Sequence, residues 1–217
     1  MMFLLTLCSA LLTAGAALKC EVCSATNANS CSGSYETCQA PESRCMLTLT
    51  ETSLGHDNVD MRNAILDKHC GSVYDCSHPA TLSTPDYRVR VTTKCCNTDF
   101  CNNSTMNWTP PNSTLNGVTC ESCFARNSKT CNVMTPMNCT GDETYCVQYS
   151  ASREGGSSIA VAGCASGSMK KSQGKAAFQG STIAVRGMQN GNGAESLRHY
   201  PLLLPSLAVT IIWMVSQ

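Results

Sequence analysis

The sequence predicts a small disulfide-rich fold of two duplicated modules whose regular segments are strands, and three observations carry that prediction. Cysteine makes up 17 of the 217 residues, against 14% charged and 6% aromatic side chains, the composition of a covalently stapled scaffold. The cysteines repeat along the chain. Cys20, Cys23 and Cys31 recur 100 positions later as Cys120, Cys123 and Cys131; Cys38 and Cys45 recur 101 later as Cys139 and Cys146; Cys70 recurs 94 later as Cys164. Such a period marks an internal duplication. Apolar and polar residues alternate over 87–93, and a shift of 94 carries Val89 and Val91 onto Ile183 and Val185; period two is the signature of a half-buried strand. Four Phe and two Trp are few for one large core, and two small modules suit the chain better. Fifteen basic residues balance fifteen acidic ones, so no net field gathers nucleic acid.

The elements follow in chain order. Residues 1–17 hold an apolar run from Phe3 to Leu12, then Ala14, Gly15, Ala16 and Ala17. The run is too short to span a bilayer and reads as a secretory signal peptide cleaved after Ala17 rather than as a buried N-terminal helix. No Lys or Arg precedes it, so the amino terminus supplies the positive charge. Cleavage removes Cys8 and leaves sixteen cysteines, the even number that full pairing in an oxidising compartment requires. The first module, 18–102, holds Cys20, Cys23, Cys31, Cys38, Cys45, Cys70, Cys76, Cys95, Cys96 and Cys101. Residues 103–117 contain no cysteine and include Trp108-Thr109-Pro110-Pro111-Asn112. They read as an extended linker, stiffened by its prolines, that holds the modules apart. Asn-x-Ser/Thr triplets begin at Asn102, Asn103, Asn107, Asn112 and Asn138; Asn107 and Asn112 are the best placed for N-linked glycans, with Asn103 and Asn138 as further candidates.

The second module, 118–190, holds Cys120, Cys123, Cys131, Cys139, Cys146 and Cys164. Cys76, Cys95, Cys96 and Cys101 have no counterparts in it, because a shift of 94 lands on Lys170, Gln189, Asn190 and Glu195. The second module thus keeps the strand pattern of its third hairpin and lacks the two disulfides that would hold it; one that closes a loop of about 20 residues contributes roughly 3 kcal/mol. That hairpin is expected as the softest part of the molecule, a stalk above an anchor, or as a disordered segment. Residues 191–217 complete the chain. The small residues Asn190, Gly191, Asn192, Gly193 and Ala194 precede a polar spacer and an apolar run from Leu202 to Val215, with no basic residue after it. The run is short for a membrane helix and lacks a basic flank, so the segment reads as a glycosylphosphatidylinositol attachment signal with Asn192 as the attachment residue. Asn190 would give a longer spacer.

Leu18-x-Cys20-x-x-Cys23, ten cysteines in this order, and the closing run Cys95-Cys96-Asn97-Thr98-Asp99-Phe100-Cys101-Asn102 resemble a domain of the lymphocyte antigen 6 and urokinase receptor family. The resemblance covers 18–102 fully and 118 to about 189 in part. It implies an all-β fold of two tandem three-finger domains of the snake-toxin kind, each a disulfide knot projecting three hairpins, the second without its third-finger disulfides. It implies the pairs Cys20–Cys45, Cys23–Cys31, Cys38–Cys70, Cys76–Cys95 and Cys96–Cys101, and in the second domain Cys120–Cys146, Cys123–Cys131 and Cys139–Cys164. Spacing alone does not choose among the many connectivities. Asn102 matches the family's terminal asparagine, which implies a structural role in the knot.

Catalysis and cofactors are not expected. The histidines are His56, His69, His78 and His199, and no nucleophile elbow or zinc-protease helix is present. Cys20-x-x-Cys23 and Cys120-x-x-Cys123 have the spacing of a zinc half-site, but an oxidising compartment and a family partner for every cysteine oppose metal and redox roles. Residues 18–102 carry 7 basic and 10 acidic side chains and residues 118–190 carry 7 and 4, so an acidic and a basic module suit opposite partners or each other. Lys170, Lys171 and Lys175 form the basic end. The expectation is a glycosylated protein anchored to the outer leaflet, or a secreted form of it, that binds an extracellular protein in adhesion or receptor-type recognition. The alternatives are an inhibitor of secreted phospholipase A2, which resemblance to gamma-type inhibitors implies, and a degenerate or alternatively spliced product.

Overall fold

The computed structural model describes residues 17–39, 43–55, 61–76, 79–107, 109–174, 178 and 181–191. In the first cysteine block these form β1 (Lys19–Thr26), β2 (Ser34–Thr37), β3 (Ser43–Leu54), β4 (Met61–Ser72), β5 (Ala80–Ser83) and β6 (Tyr87–Cys96). The second block forms β7 (Leu115–Arg126), β8 (Thr135–Thr140), β9 (Tyr145–Ser152), β10 (Ser158–Ala165), the short helix α1 (Gly167–Lys171) and β11 (Thr182–Asn190). All strand pairs are antiparallel. In the first block the order is β2-β1-β4-β3-β6-β5, and in the second β10 lies beside β7 and β9, with β11 on the far side of β9.

The registers align the half-cystines in one row. Cys45 faces Cys70 on one side and Cys96 on the other, and Cys146 faces Cys164 and Gln189. All sixteen are bridged, as Cys20–Cys45, Cys23–Cys31, Cys38–Cys70, Cys76–Cys95 and Cys96–Cys101, and as Cys120–Cys146, Cys123–Cys131 and Cys139–Cys164. The duplication reaches the backbone as well. Asn27 and Asn127, 100 positions apart after β1 and β7, both have φ near +54°, a left-handed turn that asparagine tolerates better than bulky residues do.

The duplication is not uniform through the third hairpin. Ile183 faces Ala151 and Gln189 faces Cys146, with an irregularity between Val185 and Gly187, whereas Val91 faces Thr50 and Cys96 faces Cys45. Met188 and Gln189 therefore stand where Cys95 and Cys96 stand in the first domain, and Ile183 stands where Val91 does. The offset is thus 92 before the irregularity (183 − 91) and 93 after it (189 − 96), so a constant shift of 94 misplaces both stretches; the bulge adds one residue to β11 and changes the offset partway along the strand. β11 nonetheless pairs with β9 through eight of its nine residues.

Two expectations fail on how the modules relate. They do not stand apart: β10 pairs with β5, Cys164 facing Ser83 and Ala165 facing Leu82, so one sheet runs through both domains. Gly163 permits this crossing, since a Cβ there falls on the Ser83 carbonyl oxygen. Nor do staples alone hold the shape. A buried cluster joins Leu82, Tyr87, Val89 and Val91 of the first domain to Val147, Tyr149, Val161, Met169 and Phe178 of the second. Few aromatics suffice because the two domains share this one core. Ser166 closes the junction: its Oγ accepts from Thr81 N at 3.0 Å and from Met169 N at 3.4 Å, at the first turn of α1.

The prolines do not make residues 103–117 a spacer either. Met106 is buried against Leu47, Leu49 and Leu66 and its N–H donates to Asn29 O at 2.9 Å. Arg90 Nη1 donates to Thr109 O at 2.9 Å. The segment folds back across the first domain's sheet because apolar burial and these bonds outweigh the extended preference of Pro110 and Pro111.

Candidate functional site

Each knot is built by its own first strand, and the two differ chemically. Asn102 is buried; its Nδ2 donates to Glu21 O at 2.9 Å and Met46 O at 3.1 Å, and its Oδ1 accepts from Glu21 N at 3.0 Å. One amide thereby ties the chain's return to β1 and β3, and the Asn102 side chain is held inside the fold. Glu21 is also buried, with its Oε2 2.7 Å from Lys68 Nζ and its Oε1 accepting from Gly33 N at 3.2 Å. Lys68 donates a second bond to Cys31 O at 2.8 Å. The Lys68 bond holds the Glu21 carboxyl below the usual carboxylate range, against the opposing effect of burial. The second domain repeats the glutamate but not the ion pair. Glu121 is exposed, and Ala162 faces Cys123 where Lys68 faces Cys23.

Beside the knot, Tyr35 on β2 and Phe100 stack edge to face with centroids 4.8 Å apart, and both face solvent, Tyr35 at 63% exposure and Phe100 at 42%. Phe100 has φ +59°, a left-handed conformation that costs a bulky residue energy. The Cys96–Cys101 bridge and the bond from Phe100 N to Lys19 O at 2.7 Å hold it there. Tyr74, in the single turn after β4, is 77% exposed. Aromatic side chains displayed in this way are the commonest anchors of protein recognition.

The sheet's other notable surface is concave. A cavity of about 650 Å³ is lined by Glu51 and Ser53 of β3, Arg88 and Arg90 of β6, the β1–β4 end at Asn27 and Asn63, and Asn107 and Thr109 of the segment that follows the first domain. A smaller one of about 220 Å³ continues toward the second domain, between Arg88, Arg90 and Glu143. Glu143 is buried, and its Oε2 accepts from Ser83 Oγ at 2.7 Å across the domain junction. Burial pushes this carboxyl above the usual range, and the Ser83 bond and the Arg88 charge only partly oppose it.

Among the other residues singled out from sequence, Asn103, Asn107, Asn112 and Asn138 are exposed. Asn112 Oδ1 accepts from Thr114 N at 3.0 Å, and Asn138 Oδ1 accepts from Thr119 Oγ1 at 3.0 Å. Cys20, Cys38 and Cys70 bring three sulfurs close together, as do Cys120, Cys139 and Cys164. Every one is a half-cystine, so none offers the thiolate a metal requires. His69 sits within β4 opposite Met46, and Lys170 lies 4.3 Å from the Tyr145 ring centroid. Ala17 is exposed; Cys8, His56, His78, Trp108, Lys175, Asn192, His199 and the apolar tail lie outside the described residues. Among the described residues no helix is long and apolar enough to cross a membrane. Sequence reasoning missed Lys68, Arg88 and Arg90, whose only local signal is a charge on a strand, and Glu143, a charge in the turn between β8 and β9.

The family model of the u-PAR/Ly-6 domain matches residues 16–104 and 116–188. Of solved structures, the crystal structure of mouse TEX101 matches 79% of this chain and 99% of its own, at 18% identity and a TM-score of 0.34.

Proposed function

The chain belongs to the u-PAR/Ly-6 domain family, and we propose that it is a glycosylated cell-surface protein, held by a glycosylphosphatidylinositol anchor, that recognises an extracellular protein through the aromatic face of its first domain. The observation that carries the reading is the exposed Tyr35–Phe100 pair, kept on show by a strained backbone beside a knot that a disulfide closes. Strain of this kind persists only where surrounding structure enforces it. The anchor rests on the small residues around Asn192, the spacer and the apolar tail, the secretory route on the segment that ends at Ala17, and N-linked sugar on the triplets at Asn103, Asn107, Asn112 and Asn138. The matched domains are used here for binding, not for catalysis.

Cross-linking on intact cells tests the recognition face. The double variant Tyr35→Ser with Phe100→Asn keeps a residue suited to left-handed backbone, and it is expected to abolish capture of the partner while the surface amount stays the same. Undiminished capture would remove this face from consideration. Phosphatidylinositol-specific phospholipase C is expected to release the protein from cells, and retention would count against the anchor.

A further inference from the structure

We propose that the cavity on the first domain's concave face is the seat of the chain's own N-linked sugar, carried on Asn107. The inference rests on the reading of the chain as a glycoprotein and adds where one glycan lies and what it does. Asn107 begins the triplet Asn107-Trp108-Thr109 and is part of the cavity wall. It is held on both sides. Met106 is buried against Leu47, Leu49 and Leu66, and Thr109 is fastened through its carbonyl to Arg90. A sugar on Asn107 Nδ2 therefore starts among the residues that line the cavity, between two neighbours, Met106 and Thr109, that are fastened to the first domain.

The lining has the chemistry of a carbohydrate site. It combines the amides and hydroxyls of Asn27, Asn29, Asn63, Thr52 and Ser53 with the apolar Leu49, Ala64 and Met106, the mixture that suits a ring whose hydroxyls point outward and whose faces carry C–H groups. The volume of about 650 Å³ lies within the range of small-molecule sites. Arg90 supplies a separate indication: its Nε is buried and has no hydrogen-bond partner, although its Nη1 is bonded to Thr109 O. A buried donor without a partner costs stability, and a sugar hydroxyl or acetamido oxygen supplies the missing acceptor. Asn138 on β8 is the internal contrast: both asparagines are exposed, but Asn138 lines neither cavity, and an attached glycan there projects into solvent. The consequence is that the concave face is occupied by the molecule itself, which leaves the outward surfaces for a partner.

The test uses the full-length protein purified from mammalian cells, treated natively with peptide N-glycosidase F and followed site by site by mass spectrometry. Release at Asn107 is expected about tenfold more slowly than at Asn138 or Asn103, the factor imposed by a local opening that costs ~1.4 kcal/mol. After reduction and denaturation the rates should be equal. Equal rates in the native protein would overturn the proposal, and so would an unmodified Asn107 beside glycosylated neighbours, which leaves the glycoprotein reading intact. An absence of sugar at every site would overturn both. Asn107→Gln and Thr109→Ala both remove the glycan and should lower the melting midpoint equally, whereas Asn138→Gln should not; a drop in Asn107→Gln alone would assign the effect to the asparagine side chain and sink the proposal.

Discussion

The third strands of the two domains occupy equivalent places and are fastened by opposite means. In the first domain β6 ends in Cys95 and Cys96, bridged to Cys76 and Cys101. In the second, Met188 and Gln189 take those positions, and β11 is held by its ladder to β9 and by apolar contact. Tyr149 is fully buried beneath it, with its hydroxyl 3.4 Å from Met169 O and 3.7 Å from Met188 Sδ; burial pushes the phenol up to about 12, so it remains a donor at neutral pH. Phe178 packs edge to face on the same ring, 6.4 Å between centroids. The missing staples are tolerable because an apolar core replaces them, and five of its twelve buried residues, Leu82 and Val89 among them, belong to the first domain. The domain that lacks the two disulfides is also the one whose core the junction with the first domain completes.

That account is most easily broken in the shared core. Met169→Ala should destabilise the molecule by about 2–5 kcal/mol, as truncation of a fully buried methionine does, with the loss concentrated in the hydrogen-exchange protection of β11 amides and not of β6. Equal loss in both strands would refute the difference drawn here. Removal of the staple in the other domain, by Cys76→Ser with Cys95→Ser, should cost roughly 3 kcal/mol for a loop of this size and unprotect β6 and β5 while β11 stays protected.

The junction is tested by Gly163→Ala. The added Cβ meets the Ser83 carbonyl oxygen, a backbone atom that cannot step aside, so a cost of about 1–3 kcal/mol is expected from overpacking, with a larger radius of gyration by X-ray scattering as β10 leaves β5. Unchanged dimensions and stability would show that the strands do not cross there.

The smallest effects concern the two buried glutamates, whose signs are opposite. Glu21 has its pKa lowered by Lys68, so its contribution is complete above the unfolded-state value near 4.5 and is lost as pH falls through the folded-state value. Glu143 has its pKa raised by burial; the folded state then binds the extra proton, and stability falls as pH rises from the unfolded-state value through the higher folded-state one. Denaturant titrations between pH 3 and 8 should show Glu143→Gln flattening the loss on the alkaline side without destabilising the protein at neutral pH. Glu21→Gln should be destabilising at neutral pH and nearly neutral in acid. Profiles of the same sign would contradict the assigned environments.

Lys19-Cys20-Glu21-Val22-Cys23 and Thr119-Cys120-Glu121-Ser122-Cys123 show how far local sequence reaches. The cysteine spacing makes the two segments equivalent strands and the resemblance supplies their partners, because covalent order is a one-dimensional property that survives any packing. The fate of the glutamates is invisible there: burial of Glu21 depends on Lys68, 47 positions away, which meets it only once β1 lies on β4, and in the second domain the place opposite Cys123 is taken by Ala162, which carries no charge to pair with Glu121. The extended reading of residues 103–117 failed for a related reason: two prolines and several glycan triplets describe a spacer, but Met106 found an apolar hollow made by β3 and β4.

What the sequence determined by itself was the duplication, the strand periodicity, the stapled class and, through its closing motif, the family, all of which are written in the order of residues along the chain. What only the tertiary structure decided was that the two domains share a sheet and a core, where the cavity lies, and which charges are buried. Those depend on surfaces that come together in space, such as Gly163 beneath Ser83, and a glycine's neighbour 80 residues away leaves no mark on the residues beside it.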